Sequence, residues 1–180
     1  MRRMMPRLAL TVLAIALHAC VPPAAADVPA VKPGAACTAP EHHEFDFWIG
    51  DWDVHGPQGK LAGRNRITSV HDGCALEEQW SGQGGVTGSS LTSYDASRHQ
   101  WHQTWVDNSG GVLLLDGAFQ GGRMTLRGEA APQPGATPAQ QRVTWQALPD
   151  GRVRQHWESS NDGGSTWATV FDGYYTRRVK

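Results

Sequence analysis

From Phe45 to Val179 apolar and aromatic residues recur at every second position, and the runs are broken by short clusters of Gly, Asp, Asn and Ser. Alternation of this kind belongs to strands with one face buried and one face wet, joined by tight turns. It predicts ten strands, near 47–55, 60–71, 74–82, 88–95, 99–107, 111–119, 122–130, 141–148, 152–159 and 167–178. The turns carry matching chemistry. Asp72-Gly73, Asp95-Ala96-Ser97, Ser109-Gly110-Gly111, Gly121-Gly122 and Pro149-Asp150-Gly151 sit where a hairpin needs a positive φ or an Asx cap. Nothing after Phe45 holds a helical period, so helix is confined to a turn or two around Glu44 to Trp48. Ala131 to Gln140, APQPGATPAQ, is too rich in proline for a strand and reads as a flap or surface loop.

A ten-strand meander without helices has two bare edges unless it closes on itself. The expected fold is therefore all-β, a single antiparallel up-and-down β-barrel over residues 41–180. Alternation also sorts side chains between lumen and exterior. On the fifth strand Trp101, Gln103, Trp105 and Asp107 share one face, and His102, Thr104 and Val106 share the other. The bulkier aromatic set is assigned to the inside. Leu76, Glu78 and Trp80 share a face on the third strand, as do Val143, Trp145 and Ala147 on the eighth, Val153, Gln155 and Trp157 on the ninth, and Phe171 with Tyr175 on the tenth. The predicted lumen is rich in tryptophan, with Glu78, Gln103 and Gln155 as partners for buried indole N–H groups.

Such a lumen is either a pocket or a filled core. As a pocket, Glu78, Trp80, Trp101, Gln103, Trp105 and Trp157 converge on a small hydrophobic or amphipathic ligand, with aromatic walls for burial and the Glu and Gln for orientation. Eight tryptophans are more than a filled narrow barrel needs. Glu78 itself is either a hydrogen-bonded structural acid or an acid/base with a raised pKa. An enzyme would pair it with His102 or His156, if one of them faced inward. A third possibility is a structural or interaction module of the cell envelope, whose barrel is filled.

The N-terminus changes the picture by supplying a compartment. Met1 to Arg7 carries Arg2, Arg3 and Arg7, and the apolar run Leu8 to Ala19 is too short to span a bilayer, which together describe a secretory signal peptide over residues 1–26. Ala24-Ala25-Ala26 before Asp27 suits ordinary signal peptidase. Leu17-His18-Ala19-Cys20 resembles a lipobox, in which Cys20 would become an acylated N-terminus. The expected location is the periplasm, or the cell envelope by a lipid anchor if Cys20 is acylated. Residues 27–40, rich in Pro and Ala, read as a tether. Without Arg2, Arg3 and Arg7 the chain has 16 − 3 = 13 basic residues against 17 acidic ones. A formal charge of 13 − 17 = −4 offers no surface for nucleic acid, and membrane contact would come only through Cys20. In an oxidising compartment Cys37 and Cys74 are expected to pair, leaving Cys20 over under either cleavage.

Two resemblances add to this. Gly50-Asp51-Trp52 on the first strand, with Arg177 and Arg178 near the end of the last, is similar to the Gly-x-Trp and C-terminal Arg signature of the calycins, the lipocalins, fatty-acid-binding proteins and their relatives. The likeness implies that Trp52 packs across the closed end of a barrel with Arg177 or Arg178 stacked on it. More of the chain, through FDFWIGDWDV, HDGCALEEQW and YDASRHQWHQTWVDNSG, resembles a family of secreted bacterial proteins of unknown function with a lipocalin-like barrel. That likeness implies fold and compartment and carries over no catalytic residue. Haem barrels of the nitrobindin type have their haem-ligating His on the final strand; Val170 to Lys180 has none, so that relation implies no haem.

Ser160-Asn161-Asp162-Gly163-Gly164-Ser165-Thr166-Trp167 resembles the Asp-box of sialidases. Those propellers carry several copies, and a single copy reads as a hairpin turn between strands nine and ten. His42 and His43, beside Glu41, Glu44 and Asp46, read as a solvated segment before a metal site. No cofactor motif, Gly-x-Ser-x-Gly elbow, phosphate loop or dinucleotide fingerprint occurs.

Overall fold

The computed structural model describes residues 37–130 and 138–179. The expected signal peptide and lipobox, the tether up to residue 36 and most of the Pro-rich segment (131–137) lie outside the described residues. Among the described residues three single turns of 3-10 helix occur, Pro40–His43, Asp46–Trp48 and His71–Gly73. The ten strands are β1 Gly50–His55, β2 Leu61–Val70, β3 Ala75–Gly82, β4 Thr87–Asp95, β5 Gln100–Asp107, β6 Val112–Gln120, β7 Arg123–Ala130, β8 Gln140–Ala147, β9 Val153–Ser160 and β10 Ala168–Arg177. Each pairs antiparallel with its neighbour in sequence, and β1 pairs with β10 to close the barrel. Every predicted strand corresponds to one of these. The first begins three residues later than expected, because Asp46–Trp48 winds into a turn before Gly50.

The turns form for the reasons their residues suggest. Asp95 Oδ1 accepts the backbone N–H groups of Ser97 and Arg98 at 2.9 and 3.2 Å, and Asp107 Oδ1 accepts those of Ser109 and Gly111 at 2.9 and 3.1 Å. Gly110 supplies a φ of 83°, which a side chain would strain. In the Asp-box, Asp162 accepts Thr166 N at 2.8 Å, and the Trp167 indole donates to Gly164 O at 3.0 Å. The Arg142 guanidinium lies 4.1 Å from the centre of the Trp167 ring.

In an up-and-down barrel the N-terminal segment and the connections 71–74, 96–99, 121–122 and 148–152 gather at one end. That end is closed by aromatic packing. Phe45 stacks on Trp48 with centroids 4.9 Å apart and meets Trp145 and Trp101 edge-on at 5.2 and 5.8 Å. Phe45, Trp48, Trp52, Trp101 and Trp145 are all buried. Trp52 donates its indole N–H to Trp48 O at 2.9 Å, and the Arg177 guanidinium lies 4.4 Å from the centre of its ring. Arg177 itself is exposed, so the cation lies at the rim of the barrel over a buried ring. Arg178 instead reaches Asp53, at 3.5 Å. A Cys37–Cys74 disulfide, Cα atoms 5.1 Å apart, ties the segment before Pro40 to the connection between β2 and β3.

Candidate functional site

Toward the other end the inward faces part and leave a cavity of about 230 Å³. Its walls are Trp80, Trp105, Trp157, Phe171 and Leu113, with Val86, Asp107 and Val170 at the mouth and Glu78, Gln103, Gln155 and Tyr175 toward the floor. Glycines in the strands make room for these rings. A Cβ on Gly88 would fall inside the Trp105 indole, and one on Gly63 would lie 2.7 Å from the ring of Trp80. Bare backbone under a large ring is a recurrent sheet device, and it holds the indoles flat against the barrel wall. The indoles are also anchored through their N–H groups. Trp105 donates to Asp107 Oδ2 at 3.2 Å and Trp157 to Gln141 Oε1 at 2.7 Å. Between Thr169 and Phe171 the β9–β10 register slips, so that the adjacent residues Val170 and Phe171 both line the cavity.

The floor is a network of buried polar groups. Glu78 Oε1 accepts from the Asn65 amide at 2.6 Å and Oε2 accepts from the Ser90 hydroxyl at 2.7 Å. The Gln103 amide donates to Ser90 Oγ at 3.3 Å and to Thr92 Oγ1 at 2.9 Å. Asn65 also donates to the Tyr175 hydroxyl at 3.2 Å, and Tyr175 donates onward to Gln155 Oε1. Burial pushes the Glu78 carboxyl up to about 7 from an ordinary 4.5, against the opposing pull of its hydrogen bonds from Asn65 and Ser90. Burial and the Glu78 charge hold the Tyr175 phenol well above its ordinary range. At the mouth, hydrogen bonding led by the Ser109 hydroxyl keeps Asp107 below the usual carboxylate range.

The raised carboxyl has a signature in stability. A folded-state pKa above the unfolded value means that the native protein holds its proton more tightly. The associated stabilisation is full below about pH 4.5 and is lost as pH rises through about 7. Urea unfolding should find the protein about 2–3 kcal/mol less stable at pH 8 than at pH 5 on this account. Asp95, Asp107, Asp150 and Asp162 are held low by hydrogen bonds from Ser97, Ser109, Arg152 and Thr166 respectively, and they stay ionised across this window. Glu78→Gln should remove most of the slope. An unchanged slope in that variant would mean that the carboxyl titrates normally.

Five of the six residues expected to converge, Glu78, Trp80, Gln103, Trp105 and Trp157, line the cavity. Trp101 does not. It faces inward on the same strand as Trp105 but four residues earlier, roughly 13 Å along a strand. There it packs on Phe45 and Tyr94, and its indole donates to Glu44 Oε2 at 3.2 Å. The expected indole partners also differ. The described bonds of Glu78, Gln103 and Gln155 run to one another's neighbours in the floor network, while the indoles of Trp52, Trp101, Trp105, Trp157 and Trp167 find Glu44, Asp107, Gln141 and backbone carbonyls. His102 and His156 are outside the lumen, bonded to Asp116 and Thr104 and to Thr169. The proposed imidazole partner for Glu78 is therefore missing from the cavity. Ala147 is exposed at the end of β8.

Asn65 and Ser90 complete the floor and are not among the residues that alternation assigns to the site. The Glu78–Ser90 pairing has no simple local signal, since counting outward from a two-residue Gly84-Gly85 turn would oppose Glu78 to Leu91, whereas the observed connection is centred on Gly84 and opposes it to Ser90. His43 Nδ1 lies 2.9 Å from Asp46 Oδ2, and His42 packs edge-on to Tyr94. Among the described residues no group of three or more His, Cys, Asp or Glu side chains is arranged to hold a metal ion. No protein-family model matches the chain, and no curated protein matches it.

Proposed function

We propose that this is an exported, calycin-like carrier or receptor that binds a small amphipathic molecule in the open end of its barrel. The observation that carries the proposal is the 230 Å³ cavity walled by Trp80, Trp105, Trp157 and Phe171 over a polar floor. A cavity of about 150 Å³ lined by apolar side chains already takes up benzene, so one ring with a short polar substituent suits this volume. Burial of the ring supplies most of the binding free energy, and the floor sets its orientation. A filled barrel would leave no such space. The disulfide is consistent with an oxidising compartment, and the signal-like N-terminus and the resemblance to secreted lipocalin-like proteins support export. An enzymatic alternative keeps Glu78 as general acid or base, for which a carboxyl near 7 is suited, but without the imidazole first expected beside it.

Titration with a single-ring amphiphile such as p-cresol should change the intrinsic tryptophan fluorescence saturably. Trp105→Ala should abolish that change while the near-ultraviolet circular dichroism keeps the signature of a folded barrel. Thr104→Ala, on the outer face of the same strand, should leave it intact. A response that survives Trp105→Ala, or none in the parent protein with any single-ring compound, would refute the pocket. Native mass spectrometry of protein purified from its own host would then identify a co-purifying ligand directly.

A further inference from the structure

The chemistry of the lining distinguishes between classes of ligand. Glu78 and Asp107 both line the cavity, and among the described residues no Lys, Arg or His does. Around the carboxylate most donors are already engaged: Asn65 and Ser90 donate to Glu78, Gln103 to Ser90 and Thr92, and Tyr175 to Gln155, which leaves the neutral Gln155 amide and Trp80 indole N–H groups as the lining donors open to a ligand. Acceptor capacity is left over. Each Glu78 oxygen takes one of these bonds with room for a second, and Asn65 Oδ1 is buried with no partner. The three indoles above present faces that attract cations and tolerate no anion. A carboxylate ligand would meet buried negative charge with nothing to balance it.

We propose that the pocket selects a small organic cation, a primary or substituted ammonium on a body of about one ring, with the ammonium donating to Glu78 and the body held between Trp80, Trp105 and Trp157. This rests on the pocket being a ligand site at all and adds the class of ligand. The groups facing Glu78 are Asn65 from β2, Ser90 from β4, Gln103 from β5, Gln155 from β9 and Tyr175 from β10, with Asp107 nearer the mouth. Asp107 is held ionised and Tyr175 neutral, so Glu78 is the lining group that changes charge between pH 5.5 and 8. Seating the cation requires the carboxylate, so binding below pH 7 releases the Glu78 proton to solvent and no covalent bond changes.

Isothermal titration of the full protein with benzylammonium, benzyl alcohol and benzoate tests this. At pH 8 benzylammonium should bind at least about tenfold more tightly than benzyl alcohol, with benzoate weakest. Between pH 8 and pH 5.5 the benzylammonium affinity should fall about thirtyfold while that of benzyl alcohol stays level. Buffers of different ionisation enthalpy should reveal the released proton at pH 6. Glu78→Gln should erase the preference and keep alcohol binding, and the pH series on the unaltered protein stands even if that variant folds poorly. Equal affinity for ammonium and alcohol at pH 8, or a preference removed by Asp107→Asn and kept by Glu78→Gln, would overturn the assignment while leaving the pocket in place. Failure of all three compounds to bind would overturn both.

Discussion

Trp52→Ala should lower the unfolding free energy by about 3–5 kcal/mol, the cost of emptying a large aromatic site from a packed core. The ring is fully buried, meets Tyr175 edge-on at 6.1 Å and lies against the backbone of Gly50, where an added Cβ would come within 3.1 Å of it. Its removal also leaves Trp48 O without the indole N–H that it accepts at 2.9 Å. Truncation therefore combines a cavity with an unpaired carbonyl. Trp52→Phe keeps most of the ring volume and should lose distinctly less. Arg177→Met, which removes only an exposed cation over the ring, should lose about 0.5–1 kcal/mol. Urea denaturation of the three variants would rank them. A loss below about 1 kcal/mol for Trp52→Ala would remove Trp52 from its role as the anchor of the closed end.

Loss of the Cys37–Cys74 bridge should be of similar size. The cysteines are 37 residues apart, and in the chain-entropy account closing such a loop contributes about 4 kcal/mol by restricting the unfolded state. For a domain of this length that corresponds to a melting temperature lower by on the order of 15 °C. The bridged loop contains the turn bearing Phe45 and Trp48, so its cut ends would also free the segment that closes the barrel. Thermal melts of the double variant Cys37→Ala/Cys74→Ala, and of the parent under reductant, should agree. A double variant as stable as the parent would show that the aromatic cluster alone holds that segment. Hydrogen exchange would separate the two contributions, with protection lost around Phe45 before it is lost in β5.

Ten strands, their order and most of their bounds were legible because period-two alternation and Gly or Asp turns are local properties. Asp107 caps its turn from within the chain that forms it, and Glu78 and Trp80 share a face whatever the rest of the barrel does. The disulfide followed from the number of cysteines and the expected compartment. Height within the lumen was not legible. Trp101 and Trp105 obey the same alternation, yet one is sealed among the closing aromatics and the other lines the cavity. The slip at Val170, the flat seats over Gly63 and Gly88 and the meeting of Asn65 with Glu78 all depend on which strands become neighbours and in what register.

Local pattern was thus enough to specify a closed all-β barrel, the faces that turn inward and an acid among tryptophans. Three-dimensional packing settled that the N-terminal aromatics fill one end and leave the other open, since that depends on total side-chain volume at each level of the barrel and not on any local pattern. It also decided the state of Glu78. The acid's pKa depends on how completely strands distant in sequence exclude water from it and which of their groups reach it, and here Asn65 and Ser90 reach it while no cation does.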